Sequence, residues 1–369
     1  MNQNKKPRAL YIHVPFCRSI CFYCDFCHRF YQEKEADEWL LALRREISHY
    51  RLNTDLKTVY IGGGTPTALS AAQLDSLLRL LDPYTKNVRE YTIEINPETL
   101  DENKASILAE HGISRASIGL QTADDKLLKK IGRHHTSADV AEAVRLLKDH
   151  GIDNISLDLM YSLPDQNMAS LRESIRFALS LQPKHLSLYS LTVEENTVFG
   201  RKGITPLDED TEADMYEEIC RILPQAGYRQ YEISNFALPG YESQHNLVYW
   251  HYEDFYGLSA GASGMEDHCR YDKPSNLSEY LNDPLKRDVI PLSKEDEMFE
   301  MVMMGLRLKD GISLQDFQNR FGVTFSQAFG AQAEKLLDEG KLRITDGKLK
   351  CADAYYHLLN SVLSDLLPV

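Results

Sequence analysis

No stretch of the chain is apolar for long enough to cross a membrane, and the opening residues MNQNKKPRAL lack the apolar core of a secretory signal. The expectation is therefore a cytoplasmic protein. Basic charge is also in short supply. The 41 Lys and Arg face 55 Asp and Glu, and the formal net charge of −14 excludes a broad cationic surface for holding nucleic acid. Cysteine is sparse over most of the length: Cys220, Cys269 and Cys351 stand singly, a distribution that no disulfide framework has. Free thiols of this kind fit a reducing compartment. Low-complexity segments are absent as well, and 43% hydrophobic with 26% charged residues describes an ordinary globular chain.

The other four cysteines, Cys17, Cys21, Cys24 and Cys27, crowd into one short stretch, YIHVPFCRSICFYCDFC. The first three have CxxxCxxC spacing and offer three thiolates to one metal centre. A [4Fe–4S] cluster is normally held by four thiolates. Three leave one iron open to a ligand that is not protein, which in this arrangement is usually the amino and carboxylate groups of S-adenosylmethionine. The alternative is a zinc knuckle closed by Cys27 or His28, but zinc sites are generally built from two separated ligand pairs and no second pair follows. Phe16 beside the first cysteine and Phe22, Tyr23 and Phe26 between the others would make an apolar shell around a cluster, or simply fill the core.

Short β-branched or apolar runs alternate with amphipathic stretches as far as about residue 235. The pattern predicts strands at Ala9–Val14, Thr58–Ile61, Glu90–Ile95, Arg115–Leu120, Asn154–Leu159 and His185–Leu191. Helices lie between them, with buried stripes at Met168, Leu171, Ile175, Ala178 and Leu179 and at Val140, Ala143, Val144 and Leu147. Repeated βα units of this length require parallel strands, and six of them predict an α/β fold, a partial (β/α)6 barrel. From Ser293 the pattern changes to helix, turn, helix and then KLRITDGKLKC, with a hairpin turn at Asp346-Gly347. This reads as a small winged-helix-like α+β module. Glu295, Asp296, Glu297, Glu300, Asp338 and Glu339 would repel phosphate, so the module is expected to be a structural cap without nucleic acid. The expected domains are 1–235 for the barrel, 236–292 for an extension and 293–369 for the cap.

In such barrels, functional groups gather at the C-terminal ends of the strands. There fall the cysteine loop, Gly62-Gly63-Gly64-Thr65-Pro66, Glu94, Gln121 and Asp158, with Arg133 close by in the chain. Successive glycines let the backbone approach a ligand, although GGGTP alone is more often a tight turn into a helix. A carboxylate at a strand end can hold a sulfonium or a ribose and an Arg a carboxylate. Arg133 taken alone reads better as a surface ion pair. His13 either lines the cluster or is a satisfied core histidine.

Taken in order, YIHVPFCRSICFYCDFC, GGGTP, YTIEINPE, SIGLQ, LDLMYSLPDQ, YEISNFALPG and HNLVYW resemble the radical S-adenosylmethionine family of oxygen-independent coproporphyrinogen III oxidase-like proteins, and most closely its haem-chaperone branch. The resemblance implies a [4Fe–4S] cluster on Cys17, Cys21 and Cys24. It also implies adenosylmethionine contacts from Tyr11, Tyr23, Gly63, Gly64, Thr65 and Glu94. By the same resemblance, Gln121, Arg133 and Asp158 would contact a second adenosylmethionine in the oxidase branch. Asp25 and Phe26 separate Cys24 from Cys27, one residue more than the CxxxCxxCxC loop of the oxidases, and only a short polar lead precedes the first strand. His245-Asn246-Leu247-Val248-Tyr249-Trp250 matches the HNxxYW motif of the chaperone branch, where the His is the proposed haem ligand. Read without the family, the same motif is a buried His-Asn turn under Trp250. The chaperone branch usually reads YGLPGQ where this chain has Tyr161-Ser162-Leu163-Pro164-Asp165-Gln166. The implied function is haem binding and delivery to haem-requiring respiratory apoproteins. Membrane association through partners and a homodimer are further expectations. The alternative is oxidative decarboxylation of coproporphyrinogen III.

Overall fold

The computed structural model describes residues 6–367. Six strands, β1 (Ala9–Val14), β2 (Thr58–Gly63), β3 (Glu90–Ile95), β4 (Arg115–Gln121), β5 (Ile155–Tyr161) and β6 (His185–Ser190), run parallel, each beside its predecessor in sequence. Helices α1 (Glu33–Tyr50), α2 (Ala71–Thr85), α3 (Glu102–Glu110), α4 (Ser137–Asp149) and α5 (Met168–Ser180) make the crossovers, and α6 (Glu209–Gln225) follows β6. The sequence itself starts these helices. Ser70 with Gln73, Thr136 with Asp139 and Asn167 with Ser170 form reciprocal capping pairs that satisfy the free N–H groups of the first turn. Val140, Ala143, Val144 and Leu147 of α4 are buried as their spacing requires. On α5, Leu171, Ile175 and Ala178 are fully buried, with Met168 and Leu179 packed at the margin.

The strand boundaries follow the sequence expectation with small shifts. β2 continues to Gly63 because His13 and Val14 of β1 pair with Gly62 and Gly63. β4 reaches Gln121, β5 is Ile155–Tyr161, and β6 stops at Ser190. Additional strands extend the sheet at both edges. β8 (Asn235–Ala237) pairs antiparallel with β6, and β7 (Arg229–Gln230) pairs antiparallel with β8. After α7 (Gln244–Trp250), β9 (Tyr256–Leu258) returns to the other edge and pairs parallel to β1, in register Leu10↔Tyr256 to Ile12↔Leu258. The sheet therefore has nine strands, β9-β1-β2-β3-β4-β5-β6-β8-β7. A ribbon of β10 (Ser263–Glu266), β11 (Cys269–Asp272) and β12 (Asp288–Pro291) follows.

The last segment contains α8 (Lys294–Gly305), β13 (Ile312–Ser313), α9 (Leu314–Phe321), α10 (Phe325–Asp338), β14 (Leu342–Thr345) and β15 (Lys348–Cys351). Its small sheet is ordered β13-β15-β14, and Asp346 and Gly347, at φ 53° and 72°, make the hairpin turn. Val302, Phe317, Phe325, Leu336 and Leu349 centre a separate apolar core. The charge argument needs one correction. Glu297 and Glu300 are not presented to solvent: Glu297 meets Arg320 at 3.3 Å, and Glu300 meets Arg270 at 3.1 Å and accepts from Tyr252 at 2.7 Å.

One fully buried ion pair ties the extension to the barrel. Lys273 Nζ lies 2.7 Å from Glu46 Oε1 of α1, with neither side chain exposed. Glu46 Oε2 also accepts from Ser259 N at 2.9 Å and Tyr280 Oη at 2.7 Å, while Lys273 donates to the Pro284 carbonyl at 2.7 Å. Burial pushes the Glu46 carboxyl up against the pull of Lys273. Removing one partner of such a pair leaves an uncompensated buried charge, at a cost of about 3–5 kcal/mol. Lys273→Met should therefore lower unfolding stability by about that amount, and adding Glu46→Gln should recover part of the loss. Chemical denaturation of the single and double variants checks this, and an unchanged single variant would refute the assignment.

Ser162 and Asp165, where the chaperone branch carries glycine, both adopt left-handed φ, 61° and 66°. Ser162 is fully buried and its hydroxyl has no hydrogen-bond partner, whereas Asp165 is exposed and pairs with Lys130. Left-handed backbone costs a non-glycine residue about 1–2 kcal/mol. Ser162→Gly should raise the thermal midpoint, with a gain of about 1 kcal/mol. Asp165→Gly should gain less, because Asp tolerates this conformation and would lose its ion pair.

Candidate metal and cofactor site

The C-terminal ends of β1 to β6 surround a cavity with about 1470 Å³ of free space, including its open mouth. The cysteine loop rims it. Phe22 N donates to the Ile131 carbonyl at 3.0 Å, and the loop's exit is held by Arg29 N on the Pro15 carbonyl at 2.8 Å and Tyr31 N on the Cys17 carbonyl at 2.9 Å. Cys17, Cys21 and Cys24 all line the cavity. Thr65 Oγ1 lies 3.6 Å from Cys17 Sγ, and Arg133 Nη1 lies 3.4 Å from Cys21 Sγ, so two of the sulfurs have donors that would favour the thiolate. Burial pushes the Cys17 thiol up to about 11 and Cys24 to about 12.

Of the two candidates for a fourth protein ligand, Cys27 is turned away from the cavity, whereas His28 lines it with Nδ1 3.8 Å from Cys24 Sγ and already engaged by a backbone carbonyl. Cys27 Sγ donates to the Ser275 carbonyl at 2.9 Å, and His28 Nδ1 is held by the Phe26 carbonyl at 2.5 Å. Among the described residues, no three His, Cys, Asp or Glu side chains converge on a point that one metal ion would fill. Three sulfurs spread along one wall of a large cavity suit a body larger than a single ion, which favours the cluster over the zinc knuckle.

The GGGTP segment acts first on the protein's own groups. A Cβ on Gly62 would come within 2.7 Å of the Glu94 carboxyl group, and one on Gly63, at φ 102°, within 2.4 Å of the His13 ring. Glu94 is fixed by Gly63 N at 3.0 Å and Tyr60 Oη at 2.7 Å. Burial raises its carboxyl group to about 7 in spite of both hydrogen bonds. His13 is a core histidine, held by Tyr11 Oη at 3.0 Å and the Cys27 carbonyl at 2.7 Å.

Tyr23, Gly63, Gly64, Thr65, Glu94, Gln121, Arg133 and Asp158 all line the cavity, whereas Tyr11 lies behind it, against Tyr60. The reading of Arg133 as a surface ion pair is wrong. The side chain is buried, and it donates to Asn96 Oδ1 at 3.0 Å and to the Gly119 carbonyl at 2.9 Å, bridging the cysteine loop to the end of β4. Gln121 closes β4 at φ 64°, where the register with β5 shifts. Asp158 accepts from Ser117 at 3.0 Å, and burial raises its carboxyl group.

Sequence reasoning missed Tyr60, Arg115, Ser117, His185, Ser187 and Tyr189, which complete the cavity's inner wall. Arg115 is buried, its Nε has no partner, and its nearest hydrogen bond is a long one, 3.3 Å to Asn154 Oδ1. The signal was present as polar residues at alternate positions of strands that would otherwise be apolar throughout: Arg115, Ser117, Gly119 and Gln121, then Ser156 and Asp158, then His185, Ser187 and Tyr189.

His245 does not line this cavity, although its neighbours Ser243 and Asn246 do. Its surroundings are those of the buried turn that the motif also allowed. The ring is fully buried, with Nδ1 2.8 Å from Thr58 Oγ1 and Nε2 2.7 Å from Tyr249 Oη. Its face packs on Tyr60 at 5.2 Å between centroids. Burial draws its titration down to about 3, so the ring is neutral and has both nitrogens engaged. Trp250 of the same motif sits beneath the Arg307 guanidinium, 4.7 Å from the ring centroid.

Three cavity-lining cysteines at CxxxCxxC spacing, beneath a parallel partial barrel with a glycine-backed carboxylate, define a radical S-adenosylmethionine protein. Comparison agrees: residues 11–178 match the radical SAM superfamily and residues 292–354 the HemN C-terminal domain. The chain belongs to the HemW family within that superfamily. It is 38% identical to heme chaperone HemW of Lactococcus lactis subsp. lactis (strain IL1403), over 98% of both chains. It is 39% identical to heme chaperone HemW of Bacillus subtilis (strain 168), over 90% of this chain and 92% of the relative. With the Escherichia coli (strain K12) heme chaperone HemW it shares 38% identity over 94% of this chain and 93% of that one. The structure of coproporphyrinogen III oxidase (HemN) from Escherichia coli superposes with a TM-score of 0.85 at 21% identity, covering 98% of this chain and 90% of that one, a likeness of fold. Membership of the superfamily implies a [4Fe–4S] cluster and S-adenosylmethionine as cofactors.

Because buried thiols must lose their protons to bind iron, anaerobic cluster assembly should release protons and become more favourable as pH rises below the thiol values. Cys17→Ser, Cys21→Ser and Cys24→Ser should each abolish the cluster's visible absorption, while Cys27→Ser keeps it. Loss of the cluster in Cys27→Ser would reinstate a fourth protein ligand.

Proposed function

We propose that this protein binds haem and delivers it to haem-requiring respiratory apoproteins from the cytoplasm, with a [4Fe–4S] cluster and S-adenosylmethionine as resident cofactors. The observation that carries this reading is the match, over nearly the whole chain, to relatives named heme chaperone. The spacing of Cys27, one residue beyond the oxidase loop, points the same way. No helix among the described residues is long and apolar enough to cross a membrane, which fits delivery through contact with partners.

In this reading Cys17, Cys21 and Cys24 hold the cluster, and Tyr23, Gly63, Gly64, Thr65 and Glu94 surround the adenosylmethionine. Tyr11 acts from behind, through its hydrogen bond to His13. Glu94 can accept from an ammonium or ribose group only with the acceptor capacity that Tyr60 and Gly63 leave free. Gln121, Arg133 and Asp158 lie along the same wall and would meet the rest of the bound molecule or a second one. When bound, the cluster and adenosylmethionine together supply one-electron cleavage of the sulfonium. The buried Arg133 holds the loop in place through its hydrogen bond to the Cys21 sulfur.

The test is anaerobic reconstitution followed by haem titration and a coproporphyrinogen III turnover assay on one sample. Stoichiometric haem binding without protoporphyrinogen formation is expected; turnover without specific haem binding would overturn the proposal.

A further inference from the structure

Helix α7 closes the inner end of the cofactor cavity. Glu90, the first residue of β3, accepts from Gln244 N at 3.0 Å and from His245 N at 2.9 Å, and Thr58, the first of β2, meets the His245 ring. The helix therefore lies across the N-terminal ends of the strands, opposite the cysteine loop, and Ser243 and Asn246 line the cavity from there. Arg115, the first residue of β4, lines the same floor. His185, the first of β6, is 2.9 Å from Tyr231 Oη, which accepts from Ser243 N at 3.3 Å. Besides burial, the Arg115 charge acts on both His185 and Tyr231, which places the guanidinium beside the start of α7.

Arg115 is only 3% exposed, and a guanidinium keeps its charge wherever it is. It makes one long hydrogen bond, from Nη1 to Asn154 Oδ1 at 3.3 Å, and its Nε has no partner. The acids around it are engaged elsewhere. Glu90 takes up the first N–H groups of α7, and Asp158 accepts from Ser117 at 3.0 Å. Burial raises the Asp158 carboxyl group against its hydrogen bonds and the Arg115 charge, but no ion pair joins the two side chains. A buried charge without its counter-ion is destabilising. The Nε edge of a guanidinium, meanwhile, is a fork that matches the two oxygens of a carboxylate. Asn246 adds an amide: its backbone N is bonded to Ser243 Oγ at 3.4 Å, and its side chain has no hydrogen bond among the described residues.

We infer that the floor of this cavity binds the carboxylate of a molecule other than the adenosylmethionine on the cluster, with Arg115 as its anchor and Asn246 as an amide contact. The inference rests on the cofactor assignment above and is independent of haem delivery. The first adenosylmethionine has its carboxylate at the mouth, on the open iron. Arg115 lies four residues before Gly119, whose carbonyl holds the Arg133 side chain beside Cys21, a span of roughly 13 Å along β4. One carboxylate does not serve both ends. A second adenosylmethionine and a porphyrin propionate present the same group to the guanidinium, and the HNLVYW motif acquires through Asn246 a contact with whichever is bound.

Binding titrations of the full-length reconstituted protein test this, with the cluster absorption of each sample as the folding control. Adenosylmethionine is titrated calorimetrically, and ferric haem is compared with its dimethyl ester, whose propionates carry no charge. The wild type should show either a second equivalent of adenosylmethionine or a preference of about tenfold or more for the free acid over the ester. The first result identifies adenosylmethionine as the source of the carboxylate, the second a porphyrin. Arg115→Met should abolish whichever is seen, and Asn246→Asp, which sets a like charge beside the carboxylate, should weaken it about tenfold. Arg115→Met should also raise the thermal midpoint of the ligand-free protein, since it removes a buried charge that has no counter-ion; an arginine with a purely structural role would shift the midpoint down. A wild type that holds its cluster but shows neither the second equivalent nor the preference would overturn the inference and leave the cofactor assignment intact. So would an Arg115→Met protein that binds as the wild type does or melts at a lower temperature. A wild type that assembles no cluster would remove the cofactor assignment as well.

Discussion

Much of the architecture depends on a single ion pair placed where water cannot reach it. Glu46 and Lys273 lie on segments more than two hundred residues apart and are both fully buried. A charge so placed is tolerable only with its counter-charge and a full set of hydrogen bonds. Ser259, Tyr280 and the Pro284 carbonyl complete that set, so residues 259–284 must sit against α1 for either charge to be satisfied. Two features follow from that seating. β9 reaches the open edge of β1, and the turn at Gly261 and Ser275 closes on Cys27. The outer end of the metal loop is therefore fixed by a chain segment from beyond the parallel barrel.

The inner wall of the barrel obeys a different rule. Parallel strands are usually apolar on both faces. Here the inward positions of β4, β5 and β6 carry Arg, Ser, Asp, His and Tyr. Part of this polarity is satisfied internally, as with His185 between Ser156 and Tyr231 at 2.8 and 2.9 Å. The remainder is not: Arg115 Nε is buried without a partner. Unpaired buried polar atoms cost stability and persist in native proteins where function or water accounts for them. The wall is thus chemically incomplete on its own, which is the condition of a binding surface.

Much of this could be read in the sequence. The six parallel strands and the helix stripes on α4 and α5 were legible because their periodicity and caps are local signals. The cysteine spacing was legible because a metal loop is written within a dozen residues. β7, β8 and β9 were not, since strands of two or three residues carry no periodicity and owe their pairing to edges made elsewhere. The enclosure of His245 was not legible for a related reason. The motif gives residue types in order but not which side of a helix faces a cavity, and only the fold shows its ring enclosed by Thr58, Tyr60 and Tyr249. Arg133 was misread because its partners, Asn96 and the Gly119 carbonyl, belong to two other βα units. The left-handed φ of Ser162 and Asp165 was foreshadowed by the glycines the chaperone branch has there.

The return of β9 to the first strand also orders events during synthesis. Chains emerge from the ribosome N-terminus first, and earlier segments ordinarily begin to fold before later ones exist. Here β1 can find β2 early, but its other edge stays bare until Tyr256–Leu258 has been made, and Cys27 waits for Ser275. A nascent chain of two hundred residues would hold the exit of the cysteine loop by Arg29 and Tyr31 alone, without the contact of Cys27 to Ser275. The cysteine loop thus receives the last of its anchors, at Cys27, only from a nearly finished polypeptide.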